Sequence, residues 1–355
     1  MSLVFGITGT ANAWFSSYLS GRSTRCKVAA GLSNSEPLPY GVPQGSVIGP
    51  QLFSMYIRPV SEIIKLYDIS YHIYADDVTL YTFADPKNND SVESALISLS
   101  NCVQHLQSWM GANKLKLNCT KTEFLVVSTP KSKNLLSGVS LTISGTSITQ
   151  ASSARLLGVV CDPTLKMDAH VSSLCRGLHF QLSNIARIRP FITQEACQHA
   201  TRALISTRLD YANSLLYGSR STDLQRLQRT QNRAAKLIFK SHKHDHVTPL
   251  LKELHWLPVK ERIIFKILTI VYKCMNIKAP HYLCSMLPVH NSRPGLRSTS
   301  DNTLLQIPRT NSTSGDKAFP KYAPKLWNDL PLAIRCAPSL DSFKKSLKTH
   351  LFNAD

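Results

Sequence analysis

Hydrophobic side chains recur along this chain at intervals that predict short helices and strands. The first predicted elements are a helix over residues 12–19, a strand over residues 22–30 and a helix over residues 51–66. A glycine-rich turn at residues 40–50 precedes the second helix, so Pro50 falls in a first turn, where its missing N–H costs nothing. Pro59 lies inside the same helix and is expected to kink it.

A period of two marks residues 70–83 as a pair of strands. The side chains that face the expected core are Tyr71, Ile73 and Ala75. Asp76 and Asp77 separate the two β-rich arms, which predicts that they lie at the tip of a hairpin.

The pattern then changes to that of a helix. Asp90 and Glu93 have the spacing of a capping box, and Gly111 is expected to end the helix that they open. Its apolar face consists of Val92, Leu96, Leu99, Val103, Leu106 and Met110. Further strands are predicted over residues 115–128 and 156–161, and beyond about residue 165 the pattern is helical.

The clearest of the later helices covers residues 222–240 and has two distinct faces. One face carries the basic residues Arg226, Arg229, Arg233, Lys236 and Lys240. The opposite face carries the apolar residues Leu224, Leu227, Ala234, Ala235 and Ile238. The basic residues have no acidic partner at i+3 or i+4, so they repel one another unless an anion lies against them. The stripe therefore predicts either a phosphate-binding face or a merely solvated one.

Charge is distributed unevenly along the 355 residues. Residues 1–130 hold nine basic and nine acidic side chains, whereas residues 131–355 hold 32 basic and 13 acidic ones, so the whole net charge of +19 lies in the second part. With 43% hydrophobic residues the chain can form a real core, which excludes disorder as its main state. A folded region this basic favours nucleic acid as a partner over a surface tuned only for solubility.

Cysteine usage and hydropathy restrict where such a protein would act. The nine cysteines occur singly, which argues against zinc ribbons and for reduced thiols. The first 21 residues carry no charge but lack the basic start of a signal peptide. The most apolar later run, residues 263–275, contains Lys266 and Lys273 and is too short to span a bilayer. We therefore expect an intracellular protein without a membrane partner.

Two adjacent carboxylates at a hairpin tip repel one another unless a cation lies between them. Hard carboxylate oxygens suit Mg²⁺, which keeps waters and substrate phosphates as its other ligands. Two such ions about 3.5–4 Å apart would activate a 3′-hydroxyl and stabilise departing pyrophosphate. Because neighbouring strand residues point to opposite faces, a turn must bring Asp76 and Asp77 to one site.

Several segments resemble one known family. Tyr74-Ala75-Asp76-Asp77 resembles the YxDD motif of reverse transcriptases, and Gln44-Gly45-Ser46-Val47-Ile48-Gly49-Pro50 resembles the preceding loop of non-LTR (LINE-type) retrotransposon polymerases. Residues 113–124 are similar to the family's next block, and Leu157-Gly158-Val159 with Asp162 resembles its primer-grip hairpin. Residues 250–262 and 327–331 resemble the C-terminal part of jockey and chicken-repeat type elements. The chain is identified as a member of this family over essentially its whole length.

The resemblance implies a role for each matching residue. Asp76 and Asp77 would bind two Mg²⁺ ions in the polymerase palm, with Asp76 the more critical. The residues expected near template and nucleotide are Gln44, Gly45, Ser46, Tyr74 and Ala75. Leu157 and Gly158 would hold the primer end. Lys121 would either donate a proton to pyrophosphate or be an ordinary surface lysine. The basic stripe Arg226, Arg229, Arg233, Lys236 and Lys240 would contact the nucleic-acid backbone.

The chain also departs from the family pattern. The palm of this family has an earlier aspartate, but the first Asp here is Asp68, and the acids before it are Glu36 and Glu62, neither suitably placed. The fingers precede that strand and are missing as well. Residues 5–9 and 14–22 resemble the segment just after the missing aspartate. We therefore expect an N-terminally truncated polymerase with little or no activity on its own.

The expected fold is α/β, with a partial right-hand palm built on an antiparallel sheet with helices, then a helical thumb and a basic C-terminal region. The predicted domains are the palm at residues 1–162, the thumb at 163–287 and the tail at 288–355. The predicted function is RNA-templated DNA synthesis, with an RNA template, a DNA primer or target and dNTPs as partners. The alternative is a non-catalytic nucleic-acid-binding remnant. The family implies the nucleus or a cytoplasmic ribonucleoprotein as location, and the sequence leaves the oligomeric state open.

Overall fold

The computed structural model describes residues 2–129, 131–132, 136, 138–143, 145–276, 278–289, 303–312 and 315–353. The chain divides into two compact units, Met1–Ser152 and Ser153–Asp355, and each is described by itself. Within the described residues, none of the helices has both the length and the apolar character needed to cross a bilayer.

The first unit combines helices with short antiparallel hairpins. Its helices are α1 (Ser2–Phe5), α2 (Gly9–Leu19), α3 (Gly49–Tyr56), α4 (Pro59–Lys65) and α5 (Asn89–Ala112), followed by a 3₁₀ turn at Cys119–Lys121. Its strands are β1 (Ser23–Thr24), β2 (Lys27–Val28), β3 (Gly31–Leu32), β4 (Glu36–Pro37), β5 (Ser70–Tyr74), β6 (Asp77–Tyr81), β7 (Ser140–Ile143) and β8 (Thr146–Thr149). The antiparallel pairs are β1–β4, β2–β3, β5–β6 and β7–β8.

The core of the first unit lies between the β5–β6 hairpin and the helices α4 and α5. Its buried side chains are Ile57, Val60, Ile63, Ile64, Ile69, Cys102 and Leu106. A smaller cluster on another side of α5 joins Val103 to Leu141 and Ile143 of β7. Helix α5 thus contacts both hairpins, as expected for a long helix with an apolar stripe.

Proline and cap positions in the first unit differ from the sequence prediction. Pro59 does not kink one helix. Instead α3 ends at Tyr56 and Pro59 begins α4, because proline lacks an N–H and is well tolerated at a helix start. The predicted capping box at Asp90 and Glu93 is wrong, since the side chain of Asn88 accepts the hydrogen bond from the Ser91 backbone N–H at 3.3 Å.

Two predicted strands are also wrong as continuous elements. Residues 22–30 contain two separate strands, because β1 pairs with β4 whereas β2 pairs with β3 across a turn in which Ala29 adopts φ 51°. Residues 115–128 contain the 3₁₀ turn and a single bridge from Phe124 to Gln150. The hydroxyl of Thr120 donates to the Asn118 side chain at 2.7 Å, a local bond that competes with strand pairing.

The second unit is mainly helical. Its elements are β9 (Ala154–Leu156), β10 (Val159–Cys161), α6 (Asp168–Ile188), α7 (Gln194–Thr201), α8 (Thr207–Asp210), α9 (Ser221–Phe239), α10 (Thr248–Glu253), α11 (Val259–Met275), α12 (His281–Ser285), α13 (Phe319–Asn328), α14 (Leu332–Arg335) and α15 (Leu340–Phe352). A π-helical segment, Arg202–Ser206, joins α7 to α8.

Helix α11 is central to this unit and packs against α9, α13 and α15. Ile267 and Val271 on α11 are completely buried, as is Phe343 on α15. The ring of Tyr272 stacks on Phe343 with 4.3 Å between centroids, and its hydroxyl donates to the Ala337 carbonyl at 2.7 Å. One continuous apolar core therefore links the predicted thumb region to the tail.

The expectation of a mixed α/β fold with antiparallel strands is confirmed. In the described part of the chain the strands pair only in twos, giving five two-stranded sheets. The strand predicted over residues 156–161 is wrong as a single strand, because Leu157 and Gly158 form the turn between β9 and β10.

Candidate active site and nucleic-acid interface

The Asp76-Asp77 pair lies at the tip of the β5–β6 hairpin. Tyr74 pairs with Asp77, so Ala75 and Asp76 are the two residues of the connecting turn. Ala75 adopts φ 52°, in the left-handed region that tight hairpin turns require. The turn holds Asp76 beside the first residue of β6, which is how adjacent aspartates come to share one end of the hairpin.

The two faces of this hairpin have different environments. Tyr71 pairs with Leu80 and Ile73 with Val78, and all four side chains pack against the core below. Tyr74 and Asp77 belong to the other face, where Tyr74 is 68% exposed. The carboxylates of Asp76 and Asp77 are likewise exposed. The buried face therefore fixes the hairpin while its tip stays open to solvent.

The carboxylate pair fits part of a magnesium site. Both side chains offer hard oxygen ligands from an exposed position, and water and phosphate oxygens can complete the shell of such an ion. Among the residues that the structure describes, no cluster of three or more Asp, Glu, His or Cys side chains is present. Asp76 and Asp77 can thus contribute ligands, but they do not by themselves make up the set expected for two ions.

The segment Gln44–Ser46 forms a tight turn before α3. The Ser46 backbone N–H donates to the Pro43 carbonyl at 3.1 Å, and Gly45 between them adopts φ 83°. This conformation strains any side chain with a Cβ, which explains the glycine. The hydroxyl oxygen of Ser46 is buried and makes no hydrogen bond within the described residues. A Cβ on Gly49 would come within 2.7 Å of that oxygen, so a larger residue there would force the Ser46 side chain to shift.

Lys121 lies at the end of the 3₁₀ turn Cys119–Lys121, and its side chain is exposed.

Leu157 and Gly158 form the tip of the β9–β10 hairpin in the second unit. Both adopt positive φ, 45° and 83°, as a two-residue hairpin turn requires. The hydroxyl of Tyr211 donates to the Leu157 carbonyl at 2.5 Å, and its ring lies 3.5 Å from the position of a Cβ on Gly158. Tyr211, which sequence reasoning missed, thus fixes this tip.

Asp162 connects the same hairpin to the start of α6. Its carboxylate accepts hydrogen bonds from the Thr164 backbone N–H at 2.8 Å, the Thr164 hydroxyl at 2.5 Å and the Met167 backbone N–H at 3.2 Å. Burial alone would raise the pKa of Asp162, but these hydrogen bonds outweigh it and hold the pKa below its ordinary value. The carboxylate is therefore ionised in the folded protein at neutral pH.

A buried histidine supports β10 from the α6 side. The Val160 backbone N–H donates to Nδ1 of His170 at 3.3 Å. Burial lowers the pKa of His170, and the charge of Arg155 lowers it further. A neutral ring is what this bond requires, because a protonated Nδ1 could not accept.

Helix α9 carries the predicted basic stripe. Leu227, Ala234, Ala235 and Ile238 are buried on its opposite face, as predicted. One detail was wrong: Arg226 does have an acidic neighbour, since Asp223 one turn earlier lies 3.4 Å from its guanidinium. The guanidinium of Arg226 also donates to the Ser172 hydroxyl on α6 at 3.1 Å. Lys240 ends the helix with φ 53°.

Sequence reasoning missed residues of α6 that lie beside this stripe. Arg176 and His179 line a cavity of about 430 Å³ together with Arg226 and Arg229. The side chain of His179 lies 3.2 Å from the Thr230 hydroxyl on α9. Arg176 and His179 are spaced i, i+3 opposite an apolar face of the helix. This spacing could have predicted that the two side chains lie together on one polar face.

The two C-terminal motifs have structural roles. In residues 250–262, Arg262 donates two bonds of 2.9 Å to the Asp210 carboxylate and a third to the Leu257 carbonyl. In residues 327–331, the amide of Asn328 accepts from the Leu305 N–H at 2.9 Å and donates to the Leu305 carbonyl at 2.8 Å. Both motifs therefore hold segments of the second unit together.

Comparison with known proteins finds similarity to reverse transcriptases. The family model described as "Reverse transcriptase (RNA-dependent DNA polymerase)" matches residues 4–161. The RNA-directed DNA polymerase from mobile element jockey of Drosophila melanogaster is 25% identical over 176 residues, covering 48% of this chain and 18% of that protein. The probable RNA-directed DNA polymerase from transposon BS of the same species is 25% identical over 264 residues, covering 70% of this chain and 27% of that protein.

A third relative, the probable RNA-directed DNA polymerase from transposon X-element of Drosophila melanogaster, is 23% identical over 230 residues, which cover 62% of this chain and 24% of that protein. The chain thus spans between 18% and 27% of the length of these relatives. The 70% coverage with the transposon BS protein exceeds residues 4–161, so similarity continues into the second unit. Residues 4–161 thus match the reverse transcriptase family, and the chain is similar to the RNA-directed DNA polymerases of these three Drosophila mobile elements over 48% to 70% of its length.

Proposed function

We propose that this chain is part of an RNA-directed DNA polymerase that copies an RNA template into DNA. The observation that carries the proposal is the exposed Asp76-Asp77 pair at the hairpin tip, inside the segment that matches the reverse transcriptase family. Its substrates are a nucleic-acid template with a primer and dNTPs.

Each residue has a proposed part in that reaction. Asp76 and Asp77 hold the divalent cation, which when bound lowers the charge on the triphosphate and activates the primer hydroxyl. The Gln44–Ser46 turn lines the path of the template base and nucleotide, where Gly45 presents backbone without a side chain. Tyr74 and Ala75 border the same site, Leu157 and Gly158 contact the primer end, and Lys121 lies near the leaving phosphates.

The fold assignment at finer detail is also a proposal. In it the palm covers residues 1–162, the thumb residues 163–287 and the basic C-terminal region residues 288–355, so the palm includes the first unit and the β9–β10 hairpin at the start of the second. The alternative of a non-catalytic remnant is not favoured, because the matching relatives are named as polymerases and the YxDD-like hairpin is intact in this chain.

A chimera tests the proposal directly. Residues 4–161 would replace the aligned segment of the jockey polymerase, and primer extension on an RNA template would be measured with Mg²⁺ and dNTPs. We expect extension, and a loss of about 100-fold or more for Asp76→Asn, because removing a group that stabilises developing charge typically costs 10²–10³-fold.

The matched control is Asp90→Asn, which neutralises another exposed carboxylate of the first unit, at the start of α5. This change should leave extension within about twofold. Extension that survives both Asp76→Asn and Asp77→Asn would contradict the proposed role of the pair.

A further inference from the structure

Helices α6 and α9 form the walls of a groove that lies entirely within the second unit. Its first part is the cavity of about 430 Å³ between Arg176 and His179 on α6 and Arg226 and Arg229 on α9. Its second part, of about 830 Å³, continues along α9 past Arg229 and reaches the loop beyond that helix. Arg229 lines both parts, so the two parts adjoin along α9.

The rim of this groove is strongly basic. Six of its basic side chains lie on α9 or just after it: Arg226, Arg229, Arg233, Lys236, Lys240 and Lys243. Arg176 adds a charge from the opposite wall. None of the described residues that line the two cavities is acidic, and the nearby Asp223 is buried and 3.4 Å from Arg226. Apart from Arg226, which pairs with Asp223, the basic side chains of the rim have no acidic neighbour among the residues that line the two cavities, so the rim attracts a polyanion.

The floor has a different character. Leu182 and Ala186 of α6, Leu237 of α9 and Val247 line the larger cavity. Arg189 lines it as well, but its guanidinium is committed to the carbonyls of Leu237 and Ile238 at 3.0 and 2.8 Å. A phosphate placed on such a floor would lose hydration without compensation. Nucleotide bases, in contrast, can bury their faces there.

We propose that this groove binds a single-stranded segment of nucleic acid, with phosphates on the α9 rim and bases toward the apolar floor. This proposal rests on the proposed function, in which a template strand must pass through the protein. It places one unpaired part of that strand in the groove. A duplex fits less well, because its bases are stacked inside and only its charged backbone would face the floor.

The length of the rim sets the size of the ligand. The distance along α9 from Arg226 to Lys240 corresponds to about 21 Å at 1.5 Å per residue. At the roughly 3.4 Å per nucleotide of a stacked strand this spans about six nucleotides at most, and an extended strand fits fewer. A 12-nucleotide probe is therefore long enough to fill the groove.

The test measures binding of the full chain to a fluorescent 12-nucleotide RNA, alone or annealed to complementary DNA, between 50 and 200 mM KCl in EDTA. We expect tighter binding of the single strand. The double variant Arg229→Gln with Arg233→Gln should weaken that binding roughly tenfold and reduce its salt slope by about 1.4, since each contact to a single strand contributes about 0.7. Arg176→Gln should reduce the slope by about 0.7.

Lys325→Gln with Lys345→Gln is the matched control, because both lysines are exposed in the second unit and line neither cavity. An equal loss in this control, preferential binding of the duplex, or an unchanged slope in the Arg229 and Arg233 variant would overturn the proposal. The assay contains neither Mg²⁺ nor dNTPs, so its failure would leave primer extension by the chimera unaffected, and a failed extension would leave this result standing.

Discussion

Several residues of the proposed functional turns adopt unusual backbone conformations. Ala75, Gly45, Leu157 and Gly158 all adopt positive φ at turns that present proposed functional residues. For the two non-glycine residues such a conformation costs about 1–2 kcal/mol, which the surrounding pairing must offset. At the β5–β6 tip this is achieved by the buried face of the hairpin, and at the β9–β10 tip by the hydrogen bond from Tyr211.

Asp162 leads to a prediction about pH. Because the folded-state pKa lies below the ordinary value of 3.8, the carboxylate stabilises the folded protein fully above that value, and this contribution is lost as the pH falls through the folded pKa. Asp162→Asn should therefore lower stability by roughly 1–3 kcal/mol at pH 7. The difference in the free energy of unfolding between this variant and the wild type should shrink below about pH 4.

Urea unfolding of both proteins from pH 7 to pH 2.5, followed by a probe in the second unit, measures this difference. Asp341→Asn is a suitable control, since that carboxyl is exposed in the first turn of α15. A difference between wild type and Asp162→Asn that stays constant down to pH 2.5 would show that the charge of Asp162 is not involved.

At the scale of elements, the β9–β10 hairpin is held from two sides. Tyr211 bonds its tip, while His170 and Asp162 connect β10 to α6. The Tyr211 bond joins residues 54 positions apart, whereas the bonds of His170 and Asp162 span 10 and 5 positions, and together they fix the turn that is proposed to meet the primer end.

Two glycine substitutions in the second unit should have opposite effects. Gly158→Ala places a Cβ at φ 83° near the Tyr211 ring, so we expect a loss of about 1–2 kcal/mol. Gly177→Ala lies inside α6, where the new Cβ would make an ordinary contact of 3.5 Å with Arg208, so we expect a gain of about 0.5–1 kcal/mol. Chemical unfolding midpoints compare the two. A neutral Gly158→Ala would mean that the turn does not need its present conformation.

At the scale of the whole molecule, the two units differ in how many apolar side chains they bury. The second unit has a continuous core that runs from Val159 to Leu351. The first unit has two small clusters, and the side chains of its strands β1 to β4 are exposed. Local stability follows the number of buried apolar contacts, so the units should differ in protection.

Hydrogen exchange followed by mass spectrometry tests this difference on the full chain. Peptides from α11 and α15 should exchange slowest, whereas those covering β1 to β4 should exchange within seconds to minutes because few buried contacts protect their backbone bonds. Within the first unit, α5 serves as the internal comparison and should be intermediate. Equal protection of β1 to β4 and α11 would contradict the inference that protection follows the number of buried apolar contacts.

The sequence by itself determined the features that depend on local pattern. The period of two around Asp76 and Asp77 gave the β5–β6 hairpin, and the period of 3.6 gave the buried and basic faces of α9. The motif resemblance pointed to the same family as the match over residues 4–161, because motif residues are recognised in order without reference to tertiary contacts. The assignment of roles to individual site residues stays a prediction.

Only the tertiary structure decided where local patterns compete with longer-range contacts. Residues 115–128 alternate like a strand, yet local side-chain bonds and a single bridge to Gln150 determine their path. The groove needs Arg176 on α6 opposite Arg229 on α9, a pairing that depends on how two helices pack. Tyr211 reaches Leu157 across 54 positions of sequence. Sequence periodicity reports which face of an element is buried, but the partner that covers that face is chosen by packing.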